Sequence, residues 1–375
     1  MMKRKLDYLC PVVFCLFLLL ISTWLVFGKE TEYSEREKRY LTTKPEFSVA
    51  GVLDGTVQMQ LKEWVGDQLP LRDVFVGIDA YSMLLSGRNG LQDIYYAKDG
   101  YLINAPNSQD MGRIQKTLTK FDSFAEKAGV PSSLILIPTG GWMMEELLPL
   151  SAREYLDESC FAQARSLQNI RYLEYHHVLS AAKKTMQVLY RTDHHLTSTA
   201  NYELYRQWCE DNAITAHEKD EYTIETISGF YGTTWSGSGY WLAPADTIEI
   251  WDRGADVTVT ITDDLTAPAV VSDTMFYRSR LDELDKYPVF LDGNHSIVEI
   301  EARPCEGNTL LVIKDSYAHG FVPFLVDHYE KIIMLDLRSY RGDVSAFIEE
   351  NGVDEILFFY GVSTLLTDTN SAFLF

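Results

Sequence analysis

The sequence predicts an α/β fold: a parallel sheet flanked by helices, with a block of antiparallel strands inserted and one apolar helix at the N-terminus. Three observations carry this. In the last third, apolar runs alternate with helical segments: Thr309-Leu-Leu-Val-Ile313, a helix from Tyr317 to about Tyr329, Lys331 to Leu337, a helix from Val344 to Asn351 ending at Gly352, and Glu355 to Tyr360. That alternation implies right-handed βαβ units and parallel pairing. Between residues 217 and 290, Thr223 to Ile227, Thr247 to Trp251 and Val257 to Thr262 instead alternate apolar and polar side chains, the period of half-exposed strands. From Tyr8 to Phe27 the chain is apolar and uncharged, and about 20 such residues span a bilayer as a helix.

Taken in order, Lys3, Arg4 and Lys5 precede the apolar run and favour a cytoplasmic residues 1–7. The exit of the run, Trp24-Leu-Val-Phe-Gly-Lys-Glu30, lacks the small-x-small pattern of a cleaved signal. Residues 8–27 therefore read as an uncleaved signal anchor. Residues 28–53 read as a charged stalk, with a short solvated helix as the alternative for its first part. Residues 54–375 then form an extracytoplasmic domain. Val57, Leu61, Trp64 and Val65 make a helical stripe that breaks at Pro70, and a second helix follows from about Val74 to Leu85. Asp99-Gly100 between apolar residues marks a hairpin over Asp93 to Ile103. Residues 109–128 are an amphipathic helix ending near Gly129. Ser133-Leu-Ile-Leu-Ile137 suits a strand buried on both faces and runs into the loop Pro138-Thr-Gly-Gly-Trp142. Helix is expected over 154–170 and up to about Thr185, and strand at Ile170 to Leu173 and Gln187 to Tyr190. A further helix over 197–212 is capped by Thr197 or Ser198. In 217–290, Trp235, Tyr240 and Trp241 are either exposed platforms for sugar rings or the filling of a small β core.

The 375 residues are 46% hydrophobic and carry 54 acids against 33 bases, a net charge of −21. That balance is opposite to the one a nucleic-acid binder needs. Cys10 and Cys15 fall in the apolar run. Cys160, Cys209 and Cys305 are too far apart for a zinc site or a disulfide framework. One bridge among them and three buried thiols are both compatible with the sequence.

The chemistry concentrates in two stretches. Arg191-Thr-Asp-His-His-Leu-Thr-Ser-Thr-Ala200 carries a carboxylate and two imidazoles at a helix entrance, and Leu310-Leu-Val-Ile-Lys-Asp-Ser-Tyr-Ala318 is a strand that breaks at a serine. A serine there sits at the sheet edge, with the first free N–H groups of the next helix near it. The N–H of Ser316 or Tyr317 is thus a candidate oxyanion donor. An unactivated serine needs an adjacent base. In extended chain, residues two apart share a side, so Asp193 can orient His195 while His194 points away. The reading is Ser316 as nucleophile, His195 as base and Asp193 as orienter. Metal binding by Asp-His-His is the competing reading. It needs further aspartates, and none stands at a recognisable spacing, so neither metal nor cofactor is expected.

Tyr190-Arg-Thr-Asp-His-His-Leu-Thr together with Lys314-Asp-Ser-Tyr-Ala resembles the DHHW protein family of bacterial membrane-anchored proteins. Those are similar to the SGNH/GDSL hydrolase-like domains of alginate O-acetyltransferases. Asp67-Gln-Leu-Pro-Leu-Arg-Asp73, Asp99-Gly100 and Tyr287-Pro-Val-Phe-Leu-Asp-Gly-Asn-His295 extend the resemblance over most of the chain. It implies an SGNH-hydrolase-like, flavodoxin-like sheet, and a Ser-His-Asp triad that transfers or hydrolyses an acyl ester, acetyl above all, on a cell-surface polysaccharide. It also implies a multi-pass membrane partner as acyl donor. By motif, Asp193, His195 and Ser316 take the triad roles. Asn294, Tyr317, Arg191 and His194 are candidate oxyanion or substrate contacts, with a turn asparagine as the alternative for Asn294. Leu196 stands where the family has tryptophan, and Lys314 where a GDS motif has glycine. His319 is a second polar contact or helix surface. A non-catalytic carbohydrate-binding or envelope-assembly protein on the same scaffold is the reading from another class.

Overall fold

The computed structural model describes residues 2–106, 111–303 and 307–375, with side chains from Leu9 onward. Cys305 and the first two residues expected in the 109–128 helix lie outside the described residues, as do the side chains of Lys3, Arg4 and Lys5. The fold is mixed α/β with a large, mostly parallel central sheet and one apolar N-terminal helix. The chain divides into two compact units, residues 1–88 with 236–241, and residues 89–235 with 242–375.

In the first unit, the helix Met2–Phe27 contains one stretch, Leu9–Phe27, long and apolar enough to cross a membrane, with mean hydropathy 2.6. The charged stretch that follows forms no helix. Tyr33–Ser34 pairs with Arg39–Tyr40 instead. Its charges are matched nearby: Arg39 donates to Asp67, and Arg72 to Glu37. Desolvation pushes the Asp67 carboxyl up, but Arg39, the Thr42 N–H and Arg72 outweigh it and hold it at about 2. Helices Thr56–Asp67 and Arg72–Leu85 flank Pro70 as expected. Of the expected stripe, Val57 and Trp64 are buried, whereas Leu61 and Val65 are exposed.

The second unit is built on eight strands: β1 Ser132–Ile137, β2 Arg171–Leu173, β3 Asp256–Thr262, β4 Val270–Ser272, β5 Ile297–Arg303, β6 Thr309–Lys314, β7 Lys331–Leu335 and β8 Glu355–Gly361. Their order is β4-β3-β5-β7-β6-β8-β1-β2. The run β7-β6-β8-β1-β2 is parallel, and β5, β3 and β4 extend it antiparallel. Side-chain alternation feeds two cores. Val312, Leu357 and Ile135 pack on one face, and Leu311, Ile356 and Leu134 on the other. This is why the central strands read as unbroken apolar runs. From β6 the chain passes to β7 on one side and then across to β8 on the other. The C-terminal end of β6 is therefore a topological switch point, where open α/β sheets present their crevice.

Several expectations change. The strand Val257 to Thr262 is no part of a separate insertion sheet but joins the central sheet through β5. A separate hairpin pairs Thr223–Phe230 with Asp246–Asp252, bulged at Ser228/Phe230. Gln187 to Tyr190 makes only one isolated bridge, Leu189 to Leu196. The helix expected after Ser316 is three 3-10 turns, Ser316–Gly320, Val322–Phe324 and Val326–His328. Pro323 cannot donate, and Gly320 weakens a regular helix. Asp99 and Gly100 both take positive φ, 56° and 77°, as the tight turn requires. Trp235 and Tyr240 are buried and Trp241 is half-buried, so the two buried rings fill the interior instead of forming sugar platforms.

Candidate active site

Ser316 follows the end of β6 and opens the first 3-10 turn. Asp315 builds that turn. Its carboxylate, 1% exposed, accepts from the Tyr317 N–H (3.0 Å), the Gly361 N–H (2.8 Å) and the Thr364 hydroxyl (2.6 Å). This corrects one expectation. The Tyr317 N–H is engaged with Asp315 and is no oxyanion donor. The Ser316 N–H has no acceptor among the described residues, so it is the amide of the turn that remains for a developing negative charge.

His195 Nε2 lies 2.8 Å from Ser316 Oγ. Its Nδ1 faces Asp193 Oδ1 at 2.5 Å, and its own backbone N–H donates to the same oxygen at 2.9 Å. A carboxylate only accepts. Nδ1 therefore carries the proton, and Nε2 offers a lone pair to the serine hydroxyl. Asp193 Oδ2 accepts from the Thr233 N–H (2.7 Å) and the Thr233 hydroxyl (2.8 Å). Burial pushes the Asp193 carboxyl up, but both imidazoles and the His195 backbone N–H pull it well below the usual carboxylate range. Gly232 makes room for this carboxylate, since a Cβ there would overlap the Asp193 side chain.

Tyr287 completes the arrangement. Its ring stacks on His195 at 3.7 Å and 7°, and its hydroxyl donates to the Ser316 carbonyl oxygen at 3.2 Å. An aromatic face on an imidazole favours the protonated form that a proton transfer creates. Asp246, 3% exposed, supports the loop from below. It accepts from the Arg191 N–H, the Thr192 N–H, the Thr192 hydroxyl and Gln187 Nε2 at 2.7–3.1 Å.

The other expected contacts are distributed differently. Arg191 turns to Gln187 (2.9 Å), Asp246 and the Tyr101 ring, because the buried carboxylate of Asp246 attracts it. Asn294 is exposed, and its Oδ1 accepts from Arg338 at 3.0 Å. Tyr317 contributes its ring, edge-on to His195 at 5.2 Å, and its hydroxyl donates to the His194 carbonyl. His194 Nδ1 is 2.9 Å from Thr233 Oγ1, and its side chain keeps 31% exposure. Desolvation first and His195 second push it down to about 4. A cavity of about 330 Å³ is lined by Asp193, His194 and Tyr317. Ser316 and His195 do not line it.

Lys314, His319 and Asp336 are buried, so His319 is not helix surface. Lys314 Nζ donates to His319 Nε2 (2.7 Å) and Asp336 (3.2 Å), and Arg338 bonds the same carboxylate. Burial lowers the Lys314 ammonium and drives His319 well down, so His319 accepts as a neutral ring. Leu196 is 1% exposed and packs in the core. Cys160 and Cys209 are buried free thiols, both pushed upward by burial.

Thr233, Tyr287 and Asp246 were not singled out from the sequence. Tyr287 lies in a stretch that carries the family resemblance, whereas nothing local marks Thr233 or Asp246.

A DHHW protein from Eubacterium siraeum has a similar structure, with 23% identity, TM-score 0.63, and coverage of 73% of this chain and 92% of that one. Bacillus cereus PatB1 with a sulfonyl adduct is also similar, at 17% identity, TM-score 0.60, and 74% and 98% coverage. The O-acetyltransferase domain of Pseudomonas putida AlgJ is more distant, at 13% and TM-score 0.46, covering 73% and 92%. Among curated proteins none gives a significant match. Across residues 165–335, the stretch that contributes Asp193, His195 and Ser316, the chain matches the DHHW protein family.

Proposed function

We propose that this protein is a membrane-anchored, extracytoplasmic serine O-acyltransferase or esterase, acting on the acyl esters of a cell-surface carbohydrate through Ser316, His195 and Asp193. The observation that carries the reading is the continuous relay from Ser316 Oγ through the His195 ring to a buried, fully hydrogen-bonded Asp193. His195 Nε2 takes the hydroxyl proton as Oγ attacks the acyl carbonyl carbon. The negative charge on the carbonyl oxygen meets the Ser316 N–H. Collapse breaks the ester bond, and His195 returns its proton to the leaving oxygen. The acyl-serine then reacts with water or a sugar hydroxyl, which gives its proton to His195; as the acyl–Oγ bond breaks, His195 returns that proton to Ser316 Oγ. Asp193 holds the tautomer and stabilises the imidazolium without itself being protonated. Tyr287 stabilises the same cation through its ring face.

The SGNH-like character of the sheet belongs to this reading. It is supported by the serine at the switch point and by similarity to PatB1, whose structure carries a sulfonyl adduct. An extracytoplasmic location is supported by the apolar N-terminal helix. A multi-pass acyl donor fits the transferase branch, because acyl transfer outside the membrane needs a delivered donor. Asp193 makes a poor metal ligand here, since each of its oxygens already accepts two hydrogen bonds.

The test is release of nitrophenol from nitrophenyl acetate by the full chain in detergent. Ser316→Ala and His195→Ala should abolish it to similar extents, because the members of such a unit do not contribute additively. Equal rates in wild type and Ser316→Ala would remove the enzymatic reading and leave the binding protein.

A further inference from the structure

The cavity beside the relay has a definite chemical character. Its volume of about 330 Å³ lies at the small end of the roughly 300–1,000 Å³ range of ligand pockets, so it suits a single ring and not an oligomer. Tyr101, Tyr155 and Leu189 contribute largely apolar walls. Among the described residues, its lining contains no lysine or arginine, but two carboxylates, Asp157 and Asp193. Asp193 is held ionised. Burial raises Asp157 only to about 6, so it too is charged at neutral pH.

His194 sets the remaining polarity. The Thr233 hydroxyl gives its proton to Asp193, so its oxygen can only accept from His194 Nδ1. His194 Nδ1 therefore carries the proton. Nε2 is a bare lone pair with no partner among the described residues, on a ring that burial keeps neutral. His194 thus stands in the cavity wall with its free ring nitrogen as an acceptor. Thr234 in the same wall has a buried hydroxyl without a partner among the described residues. A ligand hydroxyl reaching it would satisfy a group now left unpaired.

We propose that this cavity binds an uncharged, hydroxyl-bearing ring, one neutral sugar residue in size, with His194 Nε2 accepting a ligand hydroxyl proton, and that it excludes acidic sugars. This rests on the proposed function in taking the bound ring as part of the carbohydrate acceptor. A uronate carboxylate placed here would face Asp193 and Asp157 with no cation to pair it, and such burial is strongly unfavourable.

The experiment measures binding of methyl glucoside and of glucuronate to the full-length Ser316→Ala chain in detergent, by calorimetry and saturation-transfer NMR. Methyl glucoside should bind at least about tenfold more tightly than glucuronate. His194→Phe should weaken methyl glucoside binding by about tenfold, the worth of one neutral hydrogen bond. Asn104→Lys places a cation at an exposed position of the same lining. It should shift the ratio of glucuronate to methyl glucoside affinity toward glucuronate by up to about fivefold, the worth of a solvent-exposed ion pair. Glucuronate binding as tight as methyl glucoside, methyl glucoside binding insensitive to His194→Phe, or no binding of either probe would overturn the proposal. Ester hydrolysis dependent on Ser316 without sugar binding would end this inference alone. Sugar binding without such hydrolysis would end the acyl-transfer reading alone.

Discussion

Replacing Gly232 by alanine adds one methyl group far from the serine in sequence, yet it should disable the relay. The new Cβ would overlap the Cβ and carboxylate of Asp193, so one of the two must move. Asp193 cannot yield cheaply, because it is held by His195 and Thr233 through bonds of 2.5–2.9 Å. A displacement of about an ångström carries these beyond hydrogen-bond range. Overpacking of this kind destabilises by about 1–3 kcal/mol, a shift of a few degrees in Tm. Misplacing a catalytic group by about an ångström costs about 10²-fold in rate, while complete loss of the carboxylate's role costs about 10⁴. Gly232→Ala should therefore lower kcat/KM for nitrophenyl acetate by about 10²-fold, mainly through kcat, in a chain that remains folded. Gly66→Ala is the control, since nothing lies within 4 Å of a Cβ there. A folded Gly232→Ala chain with wild-type kcat would show that the position of Asp193 does not matter to the reaction.

Other consequences follow from the same geometry. Asp246→Ala leaves a buried and a part-buried backbone N–H group, of Thr192 and Arg191, without their acceptor. At about 1–3 kcal/mol each, urea denaturation should show a loss of a few kcal/mol, and Asp246→Asn should restore part of it. The Asp157 carboxyl is raised from 3.8 to about 6 by burial against the Thr139 hydrogen bonds. The folded state thus holds the proton more tightly than the unfolded one. Its contribution to stability is greatest below about pH 4 and falls as pH rises to about 6, by on the order of 3 kcal/mol. Asp157→Asn should flatten that part of the stability profile, and an unchanged slope would contradict the assignment. A chelator should leave ester hydrolysis intact, whereas loss on chelation with recovery on added metal would favour metal chemistry at Asp-His-His.

The parts of this fold visible in the sequence are those whose signal is local. The central strands show as apolar runs because both their faces are buried, and Ser316 shows because a strand breaks there. Asp193 and His195 are two residues apart, so their pairing follows from chain geometry alone. Strand β5, Ile297–Arg303, was missed although Val298, Ile300 and Ala302 alternate with polar residues. Thr233 and Asp246 left no local mark, because what they serve is a carboxylate and a loop some 40 and 55 residues away. Lys314 ends an apolar strand run, and the counter-charge that lets it be buried there comes from Asp336, 22 residues on. Arg191 was a candidate because it stands close to Asp193 in the chain, and Asn294 because it lies in a stretch that carries the family resemblance. Their partners, Asp246 and Arg338, are tertiary neighbours that no periodicity announces.

The most direct test of the central claim, that His195 activates Ser316, is the peptide mass spectrum of the full chain after exposure to phenylmethanesulfonyl fluoride. The account predicts one sulfonyl group on the peptide containing Ser316, lost in Ser316→Ala and formed far more slowly in His195→Ala. Modification at Ser316 that proceeds equally fast without His195, or wild-type chain left unlabelled at Ser316, would contradict it.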